Sequence, residues 1–140
     1  MKLFIDTWGW IELGNTRSQR HREVKNFYQK FQRKRGKIYT SDYVLSETIS
    51  LLFQRLPYKL ADQSLTQIQQ SIAGGFLLLE WVTEERFERA IEFRRKYTDK
   101  PRISFTDFTS MVIMQELGII DVLTEDDHFI QVGMGFNKVP

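Results

Sequence analysis

Four short apolar runs, none long enough to make a helix of its own, constrain this chain more than any other feature. "KLFI" (2–5), "KIYT" (37–40), "FLLLEWV" (76–82) and "IIDVLT" (119–124) each read as a buried strand, and "FNKV" (136–139) adds a short edge strand. Stretches of helical periodicity separate them. A strand buried on both faces is apolar throughout rather than alternating, and a helix between two strands makes them parallel. The pattern predicts a three-layer α/β/α fold around a central, mainly parallel sheet of four to five strands.

The helices are legible in the same way. Val24, Phe27, Tyr28 and Phe31 recur at i, i+3, i+4, i+7, and Gly36 is a stop. "DYVLSETISLLFQRL" begins after Ser41 and ends at Pro57, which disfavours helical geometry at Leu56. Ala61, Leu65, Ile68 and Ile72 form the next stripe. Another helix runs from an N-cap at Thr83 to Tyr97, with Phe87, Ala90 and Ile91 inward, and the last long helix runs from near Asp107 to Gly118. With no repeat, low-complexity tract or linker, residues 1–140 are expected to form one domain. The absence of cysteine excludes disulfides, thiolate metal sites and cysteine nucleophiles. No window suits a membrane span or a secretory signal, so a cytoplasmic protein with no membrane partner is expected.

Acids occupy telling positions in this frame. Sites in parallel α/β sheets form beyond the carboxyl ends of the strands, where the strand order reverses. Asp6 follows the first strand, Asp126 lies just past the fourth, Asp107 opens a largely apolar helix, and Glu47 lies early in the helix after the second strand. Glu47 falls about 40° from Leu51 on its helix, at the rim of the apolar face, which predicts partial burial. Carboxylates converging in a low-dielectric pocket resist ionisation, and a hard divalent cation such as Mg²⁺ or Mn²⁺ relieves the repulsion. Each acid taken singly has a structural alternative. Asp6 could begin a turn, Asp107 could complete a Ser-x-x-Asp capping box in "SFTD", Asp126 could be a solvated loop residue, and Glu47 a salt-bridge partner.

At these residues the chain resembles the PIN-domain nucleases, which include the VapC-type toxins of toxin–antitoxin pairs. "LFIDTWGWIELG", "YTSDYVLSETISLL", "YTDKPRISFTDFTSMVIMQELGI" and "VLTEDDHF" resemble the family's four motifs, in order and across essentially the whole chain. The resemblance implies a Mg²⁺- or Mn²⁺-dependent endoribonuclease with Asp6, Glu47, Asp107 and Asp126 as its acidic metal site. It implies that Asp6 and Asp107 hold the principal metal, and that Thr124 and Thr7 orient a carboxylate or water. Asp126 rather than Asp127 fits the Thr-x-Asp spacing. An RNA substrate, a cognate antitoxin and a homodimer are implied as partners. One departure stands out: Phe108 follows the third acid, where the family usually has a small residue.

The segment from Arg17 to Lys37 holds almost half of the twenty Lys and Arg residues and one acid, Glu23. Arg17, Arg20, Arg22, Arg33, Lys34 and Arg35 are candidates for RNA contact, against the alternative that cations simply favour a helix C-terminus. Trp8 and Trp10 are read as packing residues rather than base-stacking ones, and His128 as a pendant loop residue. Two other functions share the site: an RNA-processing nuclease outside a toxin–antitoxin system, and a non-catalytic module binding RNA or protein. A phosphatase using Asp6 as nucleophile is disfavoured, because "IDTWG" lacks the second acid of an Asp-x-Asp pattern.

Overall fold

A computed structural model describes all 140 residues. Five strands form one parallel sheet: β1 (Lys2–Ile5), β2 (Lys37–Ser41), β3 (Leu77–Glu80), β4 (Asp121–Leu123) and β5 (Asn137–Val139), in the order β3-β2-β1-β4-β5. All neighbouring strands pair parallel. The central strands carry the heart of the core, with Leu3, Phe4, Ile5, Val122 and Leu123 fully buried. The third run is shorter than its sequence predicts. Phe76 and Trp81 fall outside β3 and are exposed, as suits the ends of an edge strand.

Seven helices connect the strands: α1 (Thr7–Gly14), α2 (His21–Arg33), α3 (Asp42–Arg55), α4 (Tyr58–Ala73), α5 (Glu84–Lys96), α6 (Phe105–Leu117) and α7 (His128–Gln131). The chain steps outward from β1 through β2 to β3, then returns past β1 to β4 and β5. With right-handed crossovers, reversing the step moves the helices to the other face, so α1–α4 cover one side and α5–α7 the other. Most helix contacts follow that division, with α1 packed on α2, α3 and α4, and α6 on α5 and α7, while α3 and α6 also meet each other. The reversal lies between β1 and β4. There the loops leaving the two strands diverge to opposite faces and leave a crevice.

Helix α6 carries the centre of the core. Residues Asp107 to Met114 are buried without interruption, which explains a sequence apolar on every side. Its start is two residues earlier than expected. Ser104 is the N-cap and accepts from the Asp107 N–H at 3.0 Å. Its end is fixed by Gly118, whose φ of 66° is left-handed, with the Ile119 N–H returning to the Met114 carbonyl at 2.8 Å.

The short helix α1, which no periodicity indicated, follows β1 directly. Its buried positions, Thr7, Gly9, Trp10 and Ile11, include a glycine that permits close approach to the sheet. A Cβ on Gly9 would stand 2.9 Å from Ile5 Cγ2 and 3.0 Å from the Leu123 carbonyl. The missing side chain thus lets α1 sit directly on the ends of β1 and β4.

Candidate active site

The crevice between β1 and β4 opens into a cleft of about 580 Å³, and all four predicted acids line it. Asp6 occupies the N-cap position of α1 but does not cap it; its Oδ2 accepts instead from the Thr124 hydroxyl at 2.9 Å. The same Thr124 oxygen accepts from the Asp126 N–H at 3.1 Å, so one buried side chain ties together the carboxyl ends of the two switch-point strands. Asp107 supplies only half of a capping box. Its N–H bonds to Ser104, while its carboxylate turns into the cleft toward His128. Asp127, one residue beyond Asp126, points away and pairs with Lys138 Nζ at 2.6 Å.

Burial drives the electrostatics. Asp6, 6% exposed, is pushed up to about 7 by desolvation and then by the Asp107 carboxylate; the Thr124 bond offsets part of this. Asp107 is raised as well, chiefly by desolvation, with the His128 hydrogen bond pulling the other way. Glu47 departs from its expectation of partial burial. It is exposed, because its helix rim faces the open cleft rather than the core.

A polar atom also lacks a partner here. Thr7 lines the cleft, is 6% exposed, and has a buried Oγ1 that makes no hydrogen bond. Two further acids line the cleft: Glu125, and Glu12, which periodicity did not single out and whose Oε2 is buried and unpartnered. Converging oxygens with raised protonation and a free hydroxyl suit a divalent cation. Asp107, Asp126 and His128 offer ligand atoms within 4.8 Å of one another.

The surroundings sort the remaining candidates. Trp8 lines the cleft with the Arg20 guanidinium 5.1 Å above its ring, whereas Trp10 is buried and its Nε1 donates to Thr40 Oγ1 at 3.1 Å. Phe108 is fully buried, stacked on Tyr97 and capped by Arg94, and is not among the cleft residues. Arg17 lines a neighbouring cleft, Arg20 pairs with Glu23, and Arg22 is exposed at the start of α2. Arg33, Lys34 and Arg35 lie just before β2, at the amino end of the sheet, away from the acids. Instead, Arg55 and Arg102 are the exposed cations that line the acidic cleft, and neither takes part in an ion pair.

The PIN-domain family model matches residues 3–134, a span that contains every residue of the cleft. The chain is a PIN-domain protein of the VapC type. Among solved structures, this PIN domain is similar to VapC20 of Mycobacterium tuberculosis, described as a toxin that cleaves the sarcin–ricin loop. The two are 31% identical with a TM-score of 0.83, over 98% of each chain. It shares its fold with the VapBC2 structure from Rickettsia felis, solved bound to a DNA fragment from its promoter. There the identity is 13%, with a TM-score of 0.74 over 99% of this chain and 98% of that one. No curated protein matches the sequence.

Proposed function

We propose that this PIN domain, acting as one unit over residues 1–140, is a Mg²⁺- or Mn²⁺-dependent endoribonuclease and the toxin of a toxin–antitoxin pair in the cytoplasm. The observation that carries the reading is the meeting of Asp6, Glu47, Asp107 and Asp126 in one cleft at the sheet's switch point. Asp6 and Asp107 would hold the cation, with Asp126 and Glu47 completing the site directly or through water. A bound divalent ion supplies Lewis acidity toward the phosphoryl group and lowers the pKa of an attacking water. Thr124 holds the Asp6 carboxylate in place, and the free Thr7 hydroxyl is available to orient water. Arg55 and Arg102 neutralise phosphates that must approach an otherwise acidic surface.

The similarity to VapC20 makes structured RNA, the sarcin–ricin loop first, the substrate to test. A cognate antitoxin is the expected partner. A homodimer is favoured by the exposed Phe76, Leu78 and Trp81 on and beside edge strand β3. No helix is long and apolar enough to cross a membrane.

Cleavage of a sarcin–ricin hairpin and a mixed RNA pool, with Mg²⁺, Mn²⁺ or chelator, tests the reading. Asp6→Asn should lose cutting by about two to three orders of magnitude. Folded wild type that binds RNA but never cuts would favour a non-catalytic RNA-binding module.

A further inference from the structure

His128 is the residue whose placement departs most from what its sequence context suggests. Rather than projecting from the loop, its Nδ1 stands 3.1 Å from Asp107 Oδ2 and 2.9 Å from Asp126 Oδ2. Its backbone N–H also donates to Asp126 Oδ1 at 2.9 Å. One carboxylate oxygen of Asp126 is thus fixed by the His128 amide while the other faces the His128 ring. The neighbouring Phe129 is fully buried, and Asp107 is set by the Ser104 cap at the start of α6.

These separations have a second meaning. Adjacent ligands in an octahedral shell, each roughly 2.0–2.1 Å from the ion, stand roughly 3 Å from one another. Nδ1 meets that spacing with both carboxylates. Thr7, a residue of the same cleft, also carries a buried hydroxyl with no hydrogen-bond partner.

Resting on the metal-nuclease reading above, we propose that His128 Nδ1 is a direct ligand of the divalent cation, forming with Asp107 and Asp126 a mixed nitrogen–oxygen site that selects Mn²⁺ over Mg²⁺. Imidazole adds a neutral donor where a further carboxylate would add repulsion. Mg²⁺ keeps to oxygen ligands and dehydrates reluctantly, whereas the divalent transition ions accept imidazole nitrogen. The hydrogen bonds seen here are then the resting form of the site. With an ion bound, the imidazole would carry its proton on Nε2 and leave the Nδ1 lone pair free to ligate.

Pulsed EPR of Mn²⁺ bound to the whole wild-type protein reads this directly. The expected spectrum shows coupling to one directly bound ¹⁴N, which disappears in His128→Asn and His128→Ala. In both variants the Mn²⁺ dissociation constant should rise roughly tenfold or more, while that for Mg²⁺ moves less than about threefold. Mn²⁺ that binds the wild type and supports cleavage without ¹⁴N coupling overturns this proposal and leaves the nuclease intact. Failure of the wild type to bind Mn²⁺ at all overturns both. Because the wild-type spectrum decides the ligand, the test survives a variant that fails to fold.

Discussion

Asp6 gathers its charge, its hydrogen bond and its burial at one atom pair, and its behaviour with pH follows from them. In the ion-free protein its carboxyl is raised to about 7 by burial and by Asp107, against roughly 3.9 in an unfolded chain. Between those values the folded state binds more protons than the unfolded one, so its stability falls as pH rises. The contribution is whole below about pH 4 and gone once pH passes 7, a loss on the order of a few kcal/mol. Chelated wild type should therefore melt at a lower temperature at pH 8 than at pH 5, and Mn²⁺ should reverse most of the drop. In Asp6→Asn the slope should largely flatten; an unchanged slope would place the titrating group elsewhere. Thr124 acts through Asp6 and Asp126. Thr124→Val removes both of its bonds and should lower metal affinity by about tenfold to a hundredfold, while Thr124→Ser restores it. Isothermal titration with Mn²⁺ measures both variants.

At the scale of elements, the site depends on how α6 is launched. Arg94 of α5 donates to the carbonyls of Tyr97, Lys100 and Ile103 at 2.6–2.9 Å and lies 4.8 Å over the Phe108 ring. One guanidinium thereby orders the connection that ends at the Ser104 cap and Asp107. Arg94→Met keeps the apolar stem but leaves three carbonyls without that donor. It should cost about 2–4 kcal/mol by thermal or urea melting, with Arg94→Lys little better because an ammonium lacks the planar fork. No periodicity announced this tie, since it runs from a side chain to loop carbonyls.

What could be read in advance was whatever repeats or is continuous. The apolar runs gave five strands near their true positions, and Thr83 is indeed the cap of α5, accepting from the Arg86 N–H at 3.3 Å. Helix α1 escaped because "TWGWIELG" has two glycines and no clean stripe; its seat on the sheet rests on the close approach Gly9 allows. The four acids were legible because strand ends and helix starts are local features. The exposure of Glu47, the inward turn of His128 and the buried edge of Glu12 were not, since each depends on which neighbouring element shares the cleft.

Across the whole molecule, charge is divided between two clefts that meet at Arg55. The first holds the acids. The second, about 600 Å³ between α1, α2, α3 and α4, includes Arg17, His21, Lys25 and Arg55 in its wall and no carboxylate at all. The densest basic run, Arg33 to Arg35, lies at the opposite end of the sheet. On the nuclease reading proposed above, a phosphodiester chain reaching the acidic cleft would be held by Arg55 and Arg102 at its rim, with the acid-free wall extending the path. Local cation density and closeness to the acidic cleft are separate properties of this fold. Arg55→Glu combined with Arg102→Glu should weaken RNA binding at least about tenfold and reduce the dependence of log K on log salt by roughly 0.7 for each phosphate no longer neutralised. Exchanging Arg33, Lys34 and Arg35 for Gln should change the affinity far less. Fluorescence anisotropy on a labelled single-stranded RNA, taken across a salt series, separates the two. Should the Arg33–Arg35 exchange prove the more damaging, RNA must wrap to the amino end of the sheet, and the path over Arg55 would be wrong.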